Sequence, residues 1–294
     1  ALKVSDLANL RAGRRRRQMR KKLVLHVGLG KTGTTLLQHF FWHNRKRLAE
    51  LDVLYPERGA VDAAHHLLSP HAPQYMQSRW QFQAVAEWAP ALAAAGQETV
   101  LLSSEIMSSA VEDEVTQYVA ILKEYFEPRV VFYLRRQDHL ISSHYNQMVK
   151  SGRQIRPITK ILARQIKRMD FEQRLAPWVR ALGEHAIVVR PYERRQFHGG
   201  DIRSDFLHHV LGLALDDRFE LTTADPNPRF PVDVLEYKRL LNWFVLDRAM
   251  HRRCNSLLQA YADGGRGGAV EAIPESFLSP ADRLEVLAAV APSN

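Results

Sequence analysis

The 294-residue chain is 46% hydrophobic and 25% charged, an ordinary globular composition with length enough for one large domain or two small ones. No run approaches the roughly 18 consecutive apolar residues of a membrane-spanning helix, and Cys254, the single cysteine, excludes a disulfide framework or a cysteine-rich metal site and fits a reducing, cytoplasmic setting. The net charge is +9, but nine basic residues against Asp6 put +8 of it within the first 22 positions, so the nearly neutral body is not expected to bind nucleic acid.

In chain order, residues 1–21 read as a basic, solvated arm with no apolar run behind the charges, unlike a secretory signal. Such an arm suits peripheral contact with anionic lipid or another polyanion. Residues 22–294 are expected to form a single domain. Residues 23–27 are a short β-rich run, Gly28 to Thr35 is rich in glycine and threonine, and Leu36, Leu37, Phe40 and Phe41 follow at helical spacing. Strand, glycine turn and helix is the reading. Residues 99–103, 130–134 and 186–189 read as buried strands. Helices are expected over 83–95 (with Pro90 a candidate break), 115–126, 140–150, 171–182, 202–211 and 232–248, and loops over 224–231 and 264–268. The alternation gives an α/β fold: a central parallel sheet of about four or five strands flanked by helices.

Glycines between a strand and a helix let backbone N–H groups converge on an anion at the helix N-terminus. Gly28 and Gly33 have the spacing of a nucleotide-kinase phosphate loop, yet Thr34 stands where that loop requires lysine, and the lysine enters earlier, at Lys31. His39 and His43 have metal-ligand spacing but lack the glutamate of a zinc protease motif, and read as packing or surface groups. His65, His66 and His71 cluster in a proline-flanked stretch better suited to substrate contact than to a metal. Trp80, Trp88, Trp178 and Trp243 are expected in the core, with a sugar ring on Trp80 as the lesser reading.

Lys31-Thr32-Gly33-Thr34-Thr35 after a strand resembles the 5′-phosphosulfate loop of sulfotransferases that use 3′-phosphoadenosine 5′-phosphosulfate (PAPS). In that family a second site binds the 3′-phosphate through an arginine closing a later strand, with serine eight and tyrosine ten residues on; Arg135, Ser143 and Tyr145 stand in that pattern. A guanidinium at a strand end supplies two parallel donors to phosphate. Residues 188–193, ending in Tyr192-Glu193, and Asp205 to Gly212 resemble later family segments, with Tyr192 near adenine. The chain departs from the family where Arg136-Gln137 follows the arginine, and Arg266 is its weak candidate for a C-terminal nucleotide loop.

The resemblance implies a P-loop NTPase-like sulfotransferase fold of the carbohydrate-sulfotransferase type, transferring a sulfuryl group from PAPS to an acceptor hydroxyl, on a glycan or glycolipid, with no metal. It implies that Gly30, Lys31, Thr32, Gly33, Thr34 and Thr35 hold the 5′-phosphosulfate, with Lys31 also neutralising the leaving oxygen, and that Arg135 and Ser143 hold the 3′-phosphate. Glu105, after an expected strand, is the first candidate for general base; His66 and then His65 are its rivals. Two other readings remain open: a nucleotide-dependent phosphotransferase, and a non-enzymatic polyanion- or nucleotide-binding module acting through the basic arm.

Overall fold

Five short β-rich segments alternate with helices along the chain, and a computed structural model describes residues 20–77, 80–221, 229–244, 247–264 and 277–293. The strands are β1 (Lys21–His26), β2 (Val53–Leu54), β3 (Thr99–Ser103), β4 (Phe126–Leu134) and β5 (Ile187–Pro191). They form one sheet in the order β2-β3-β1-β4-β5, every neighbouring pair parallel. Because crossover helices cover parallel sheets, the central strands carry apolar side chains on both faces: Leu23, Leu25, Val100 to Leu102 and Val130 to Tyr133 are fully buried. The fold is α/β, a five-stranded parallel sheet with helices packed on it.

The helices are α1 (Thr34–His43), α2 (Arg45–Glu50), α3 (Gln74–Gln77), α4 (Val85–Ala93), α5 (Glu112–Tyr125), α6 (Gln137–Lys150), α7 (Leu162–Ile166), α8 (Phe171–Leu182), α9 (Ile202–Phe206), α10 (Val232–Leu241), α11 (Arg248–Asp263) and α12 (Pro280–Val290). None of the described helices is long and apolar enough to cross a membrane. The chain divides into two compact units, one formed by residues up to Leu134 with Ala176–Thr222, the other by Arg135–Leu175 with Thr223–Asn294.

The first unit holds the sheet. Phe40 and Phe41 of α1 pack with Leu37, Tyr55 and Phe206, the rings of Phe41 and Phe206 4.9 Å apart. Beneath α4 and α5, Trp88 and Trp178 are fully buried against Tyr118. Asp205 of α9 is buried and accepts from both Nε and Nη2 of Arg190, from the Tyr133 hydroxyl and from the His198 N–H, which ties α9 to β4 and β5. In the second unit Asn146 donates to Phe230 O, Asn242 donates to Val149 O and Gln154 O, and the Tyr145 hydroxyl donates to Glu236, joining α6 to α10.

Several boundaries differ from the sequence reading. Pro90 does not break its helix but sits inside α4. The helix expected over 115–126 starts at Glu112, where Glu114 accepts from the Val111 N–H, and stops at Tyr125 because Phe126 opens a nine-residue β4. The helix expected over 202–211 widens after Phe206 into a π-helical turn, Leu207–Leu211, closed by left-handed Gly212. The helix expected over 232–248 is cut at Leu241; α11 starts afresh at Arg248, capped by Asp247, which accepts from the Met250 N–H. Trp243 is not in the core but 63% exposed. Residues 1–19 of the basic arm, most of the loops at 224–231 and 264–268, and Arg266 lie outside the described residues.

Two buried histidines give the fold a pH dependence. Burial lowers His26 from its ordinary 6.5 to about 3 and His65 to about 4. Below 6.5 the unfolded chain takes up protons that the folded chain refuses, so stability rises with pH across that window and falls on acidification. Each group contributes a slope of up to about 1.4 kcal/mol per pH unit. Asp205 is held below its ordinary 3.8: burial opposes this, but the Arg190 contact outweighs it, so its stabilisation is lost only at still lower pH. Denaturant midpoints measured from neutral pH down to about 4.5 are expected to fall, and His26→Gln with His65→Gln to flatten the curve. A flat profile in the parent protein would contradict the assignment.

Candidate active site

β1 lies between β3 and β4, so the chain leaves it for β2 and β3 on one side and reaches β4 on the other. The carboxyl end of such a strand is where open α/β sheets leave a crevice for ligand. The turn after β1 reverses direction through left-handed backbone at Gly28 (φ 43°), Lys31 (φ 74°) and Gly33 (φ 75°). A Cβ on Gly28 would stand 2.4 Å from Thr34 Cγ2, and one on Gly33 2.9 Å from the Tyr192 ring, so both positions require glycine. Gly30 differs: nothing lies within 4 Å of where its Cβ would be. Its side of the turn is open to a close approach.

Lys31 is the exception among the loop residues with positive φ, because its Cβ makes the left-handed region unfavourable by roughly 1–2 kcal/mol. Thr32 is buried, and its hydroxyl donates to Leu29 O at 2.6 Å, so its side chain braces the turn. Thr34 is buried under Gly28, while Thr35 is exposed in the first turn of α1. That turn brings N–H groups without intrahelical acceptors and the positive end of the helix dipole to the same loop. Tyr192 packs on Gly33 and edge-on to Phe197.

The end of β3 supplies a second group of side chains. Ser103 pairs with His26 at the end of β1, the register partner of Ser103, and Ser103 Oγ stands 2.8 Å from His26 Nδ1. The histidine pair folds onto the same strand end. His65 N–H donates to Ser103 O, Ser103 N–H donates to His65 Nδ1, and His65 Nε2 donates to Pro56 O. Both ring nitrogens of fully buried His65 are therefore committed, which speaks against it as a base. His66 faces the other way. Its Nδ1 is 2.8 Å from Ser104 Oγ, its Nε2 3.9 Å from Glu105 Oε1, and its ring stacks on Trp80 at 5.3 Å.

Glu105 opens a 3₁₀ turn directly after β3, is partly exposed, and accepts from Gln38 Nε2 of α1 at 2.8 Å. The helix that begins at the phosphate-type turn thus also holds the carboxylate. His66 is pushed below its ordinary value by burial, against the pull of Glu105. Gln38 has no sequence signature beyond its place one turn into α1. His71 bonds instead to Glu114 of α5, and His43 to its own helix at His39 O.

In the second unit, Arg135 follows the last residue of β4, and Ser143 is buried on α6. Arg229 Nη2 lies 3.4 Å from Ser143 Oγ, a cation that the sequence reading missed because it falls in a proline-rich stretch. Arg136 makes a two-pronged contact with Asp138, and Arg283 lies 3.9 Å from the same carboxylate. His139 is lowered by burial and by the positive field of Arg136, Arg135 and Arg283, despite Asp138. Tyr145 is fully buried and bonded to Glu236, a packing position.

Replacing Lys31 with glycine separates backbone strain from charge. Lys31→Gly is expected to leave the fold as stable as the parent or up to about 1 kcal/mol more so, since relief of left-handed strain offsets the freer unfolded chain. Lys31→Ala keeps the strain. Both are expected to weaken binding of adenosine 3′,5′-bisphosphate, read by calorimetry beside denaturant midpoints; undiminished binding in both would remove the lysine from the site.

No family model matches the chain. An uncharacterized protein of Archaeoglobus fulgidus is 37% identical over 93 residues, 31% of this chain and 24% of its own length. The chain thus matches about a quarter of that curated relative. The crystal structure of a sulfotransferase from Alicyclobacillus acidocaldarius aligns over 93% of this chain and 92% of its own, at 14% identity and a TM-score of 0.47. At that identity and score the likeness assigns neither activity nor site.

Proposed function

We propose that the protein is a sulfotransferase that moves a sulfuryl group from PAPS to an acceptor hydroxyl, with residues 22–294 serving as one catalytic domain. The observation that carries the reading is the left-handed Lys31 in a glycine turn on the central strand, with a carboxylate at the end of the adjacent strand. Strain at a charged loop residue is retained where the loop has a ligand to hold.

In this mechanism the acceptor oxygen attacks sulfur while Glu105 takes its proton. The bond from sulfur to the bridging phosphate oxygen breaks, and adenosine 3′,5′-bisphosphate leaves with the electron pair. Lys31 and the first-turn N–H groups of α1 offset the charge that builds on the leaving oxygen. Gly30, Gly33, Thr34 and Thr35 line the 5′ end, with Thr32 bracing the turn, and Tyr192 lies toward the base. Arg135 and Ser143 hold the 3′-phosphate, a role supported by the arginine at the strand end and by Arg229 beside the serine. No metal enters the scheme. A glycan or glycolipid acceptor is supported by the Trp80 indole on His66, a flat face beside the proposed base. A cytoplasmic setting is supported by the single cysteine.

Two measurements test the reading. Adenosine 3′,5′-bisphosphate is expected to bind far better than ADP, and Arg135→Ala to lose a charge-assisted contact of roughly 1.5–3 kcal/mol, about one to two decades of affinity. Equal affinity for the two nucleotides would sink the 3′-phosphate assignment. For the base, Glu105→Gln is expected to lower turnover by roughly two decades or more with nucleotide affinity kept. Near-normal turnover in Glu105→Gln together with its loss in His66→Ala would move the role to the histidine.

A further inference from the structure

In the second unit the C-terminal end of α6 is clasped by side chains from two other helices. Asn242, after α10, donates to Val149 O and Gln154 O, and Asn255 of α11 donates to Lys150 O. Beside this clasp Lys238 of α10 is fully buried. Its ammonium donates to Asn242 Oδ1 and, at 3.2 Å, to His251 Nδ1 of α11. No carboxylate pairs with it among the described residues. A buried ammonium held by an amide and an imidazole alone is unusual, because buried charges are ordinarily paired with an opposite one.

The contact fixes the state of the imidazole. An ammonium offers three donors and no acceptor, so Nδ1 of His251 accepts and carries no proton. The ring has little room to turn aside. Gly152 follows α6 in the left-handed region (φ 75°), and a Cβ there would stand 2.8 Å from His251 Nε2 and nearer still to Cε1. Lys238 from α10 opposes protonation of the ring, and Asp247 at the start of its own helix favours it, while the turn after α6 meets it with Gly152. Burial and Lys238 outweigh Asp247, which also caps α11, and hold His251 below its ordinary 6.5. Lys238 is itself lowered by burial, against the pull of Cys254 on α11.

We propose that His251 is an acid-sensitive latch that holds α11 on α10 and on the end of α6. With the ring neutral the pair carries one charge, on Lys238. A proton on Nδ1 removes the acceptor and sets a second positive charge 3.2 Å from the first, where water screens little. The released helix, its imidazole in water, takes up the proton more readily than the latched one. The latch therefore holds above 6.5 and weakens as the pH falls below it. This opening belongs to α11, apart from the acid response of His26 and His65 in the sheet, and it does not depend on sulfuryl transfer.

Hydrogen exchange of the full chain, read by mass spectrometry at about pH 7.5 and about pH 5 and corrected for intrinsic rates, tests the latch. His251→Gln offers Lys238 an amide oxygen that does not titrate. Exchange across 252–263 is expected to rise on acidification roughly tenfold or more in the parent relative to this variant, since a released imidazole is almost fully protonated at the lower pH. β1 and β3 are expected to exchange alike in the two proteins, because both keep His26 and His65. Lys238→Met removes the repelling charge while filling the same space. It is expected to shrink the acid rise and to move the titration of His251, followed by NMR, upward. An acid rise across 252–263 equal in the parent and in His251→Gln would overturn the proposal. So would a His251 titration that Lys238→Met leaves unmoved.

Discussion

The left-handed turn between β1 and α1 sets both the core and the site. Without a Cβ at Gly28 and Gly33 the chain reverses tightly enough for Thr34 to close over one glycine and Tyr192 over the other. That reversal fixes the direction of α1. Its inner face then brings Phe40 and Phe41 into the cluster with Tyr55 and Phe206, and its next turn delivers Gln38 to Glu105. A side chain added at either glycine would therefore disturb packing and the carboxylate together. Lys31 alone among the three left-handed loop residues carries a side chain against its backbone preference.

The pairing of β1 with β3 carries the same logic to the other side of the site. His26 opposes Ser103 in register, and three consecutive residues from that point have separate contacts: Ser103 with His26 and His65, Ser104 with His66, Glu105 with Gln38. In a strand a one-residue slip turns every side chain to the opposite face. The register is held by Leu23 and Leu25 against Val100 and Leu102, all fully buried. Hydrophobic packing in the sheet is thus what aligns the polar groups at its edge.

What the sequence disclosed and what it hid divide along the range of the interactions. The strand, glycine turn and helix at 23–43 was legible because its signals are local: a β-rich run, glycines, then apolar residues at helical spacing. The strand at Thr99–Ser103 was legible for the same reason. The two-residue β2 was not, being too short to show a pattern, and it exists because β3 offers a free edge. The apolar pattern of α10 runs on through Trp243 and Phe244, yet the helix stops where Asn242 donates to Val149 O and Gln154 O, bonds to residues far away in sequence. His65 and His66 are alike in sequence, and only contacts with Pro56, Ser103 and Ser104 separate the braced imidazole from the one beside Glu105. Arg229 became a neighbour of Ser143 by the same kind of long-range contact.

Burial of the three imidazoles bears on the proposed chemistry. His26 and His65 are kept neutral far below physiological pH, and His66 is lowered as well, so the strand edge gathers imidazoles without gathering positive charge. His66 Nε2 stands 3.9 Å from Glu105 Oε1, close enough for the charge on the ring to act on the carboxylate directly. Its partly buried, neutral ring leaves Glu105 held by the uncharged amide of Gln38.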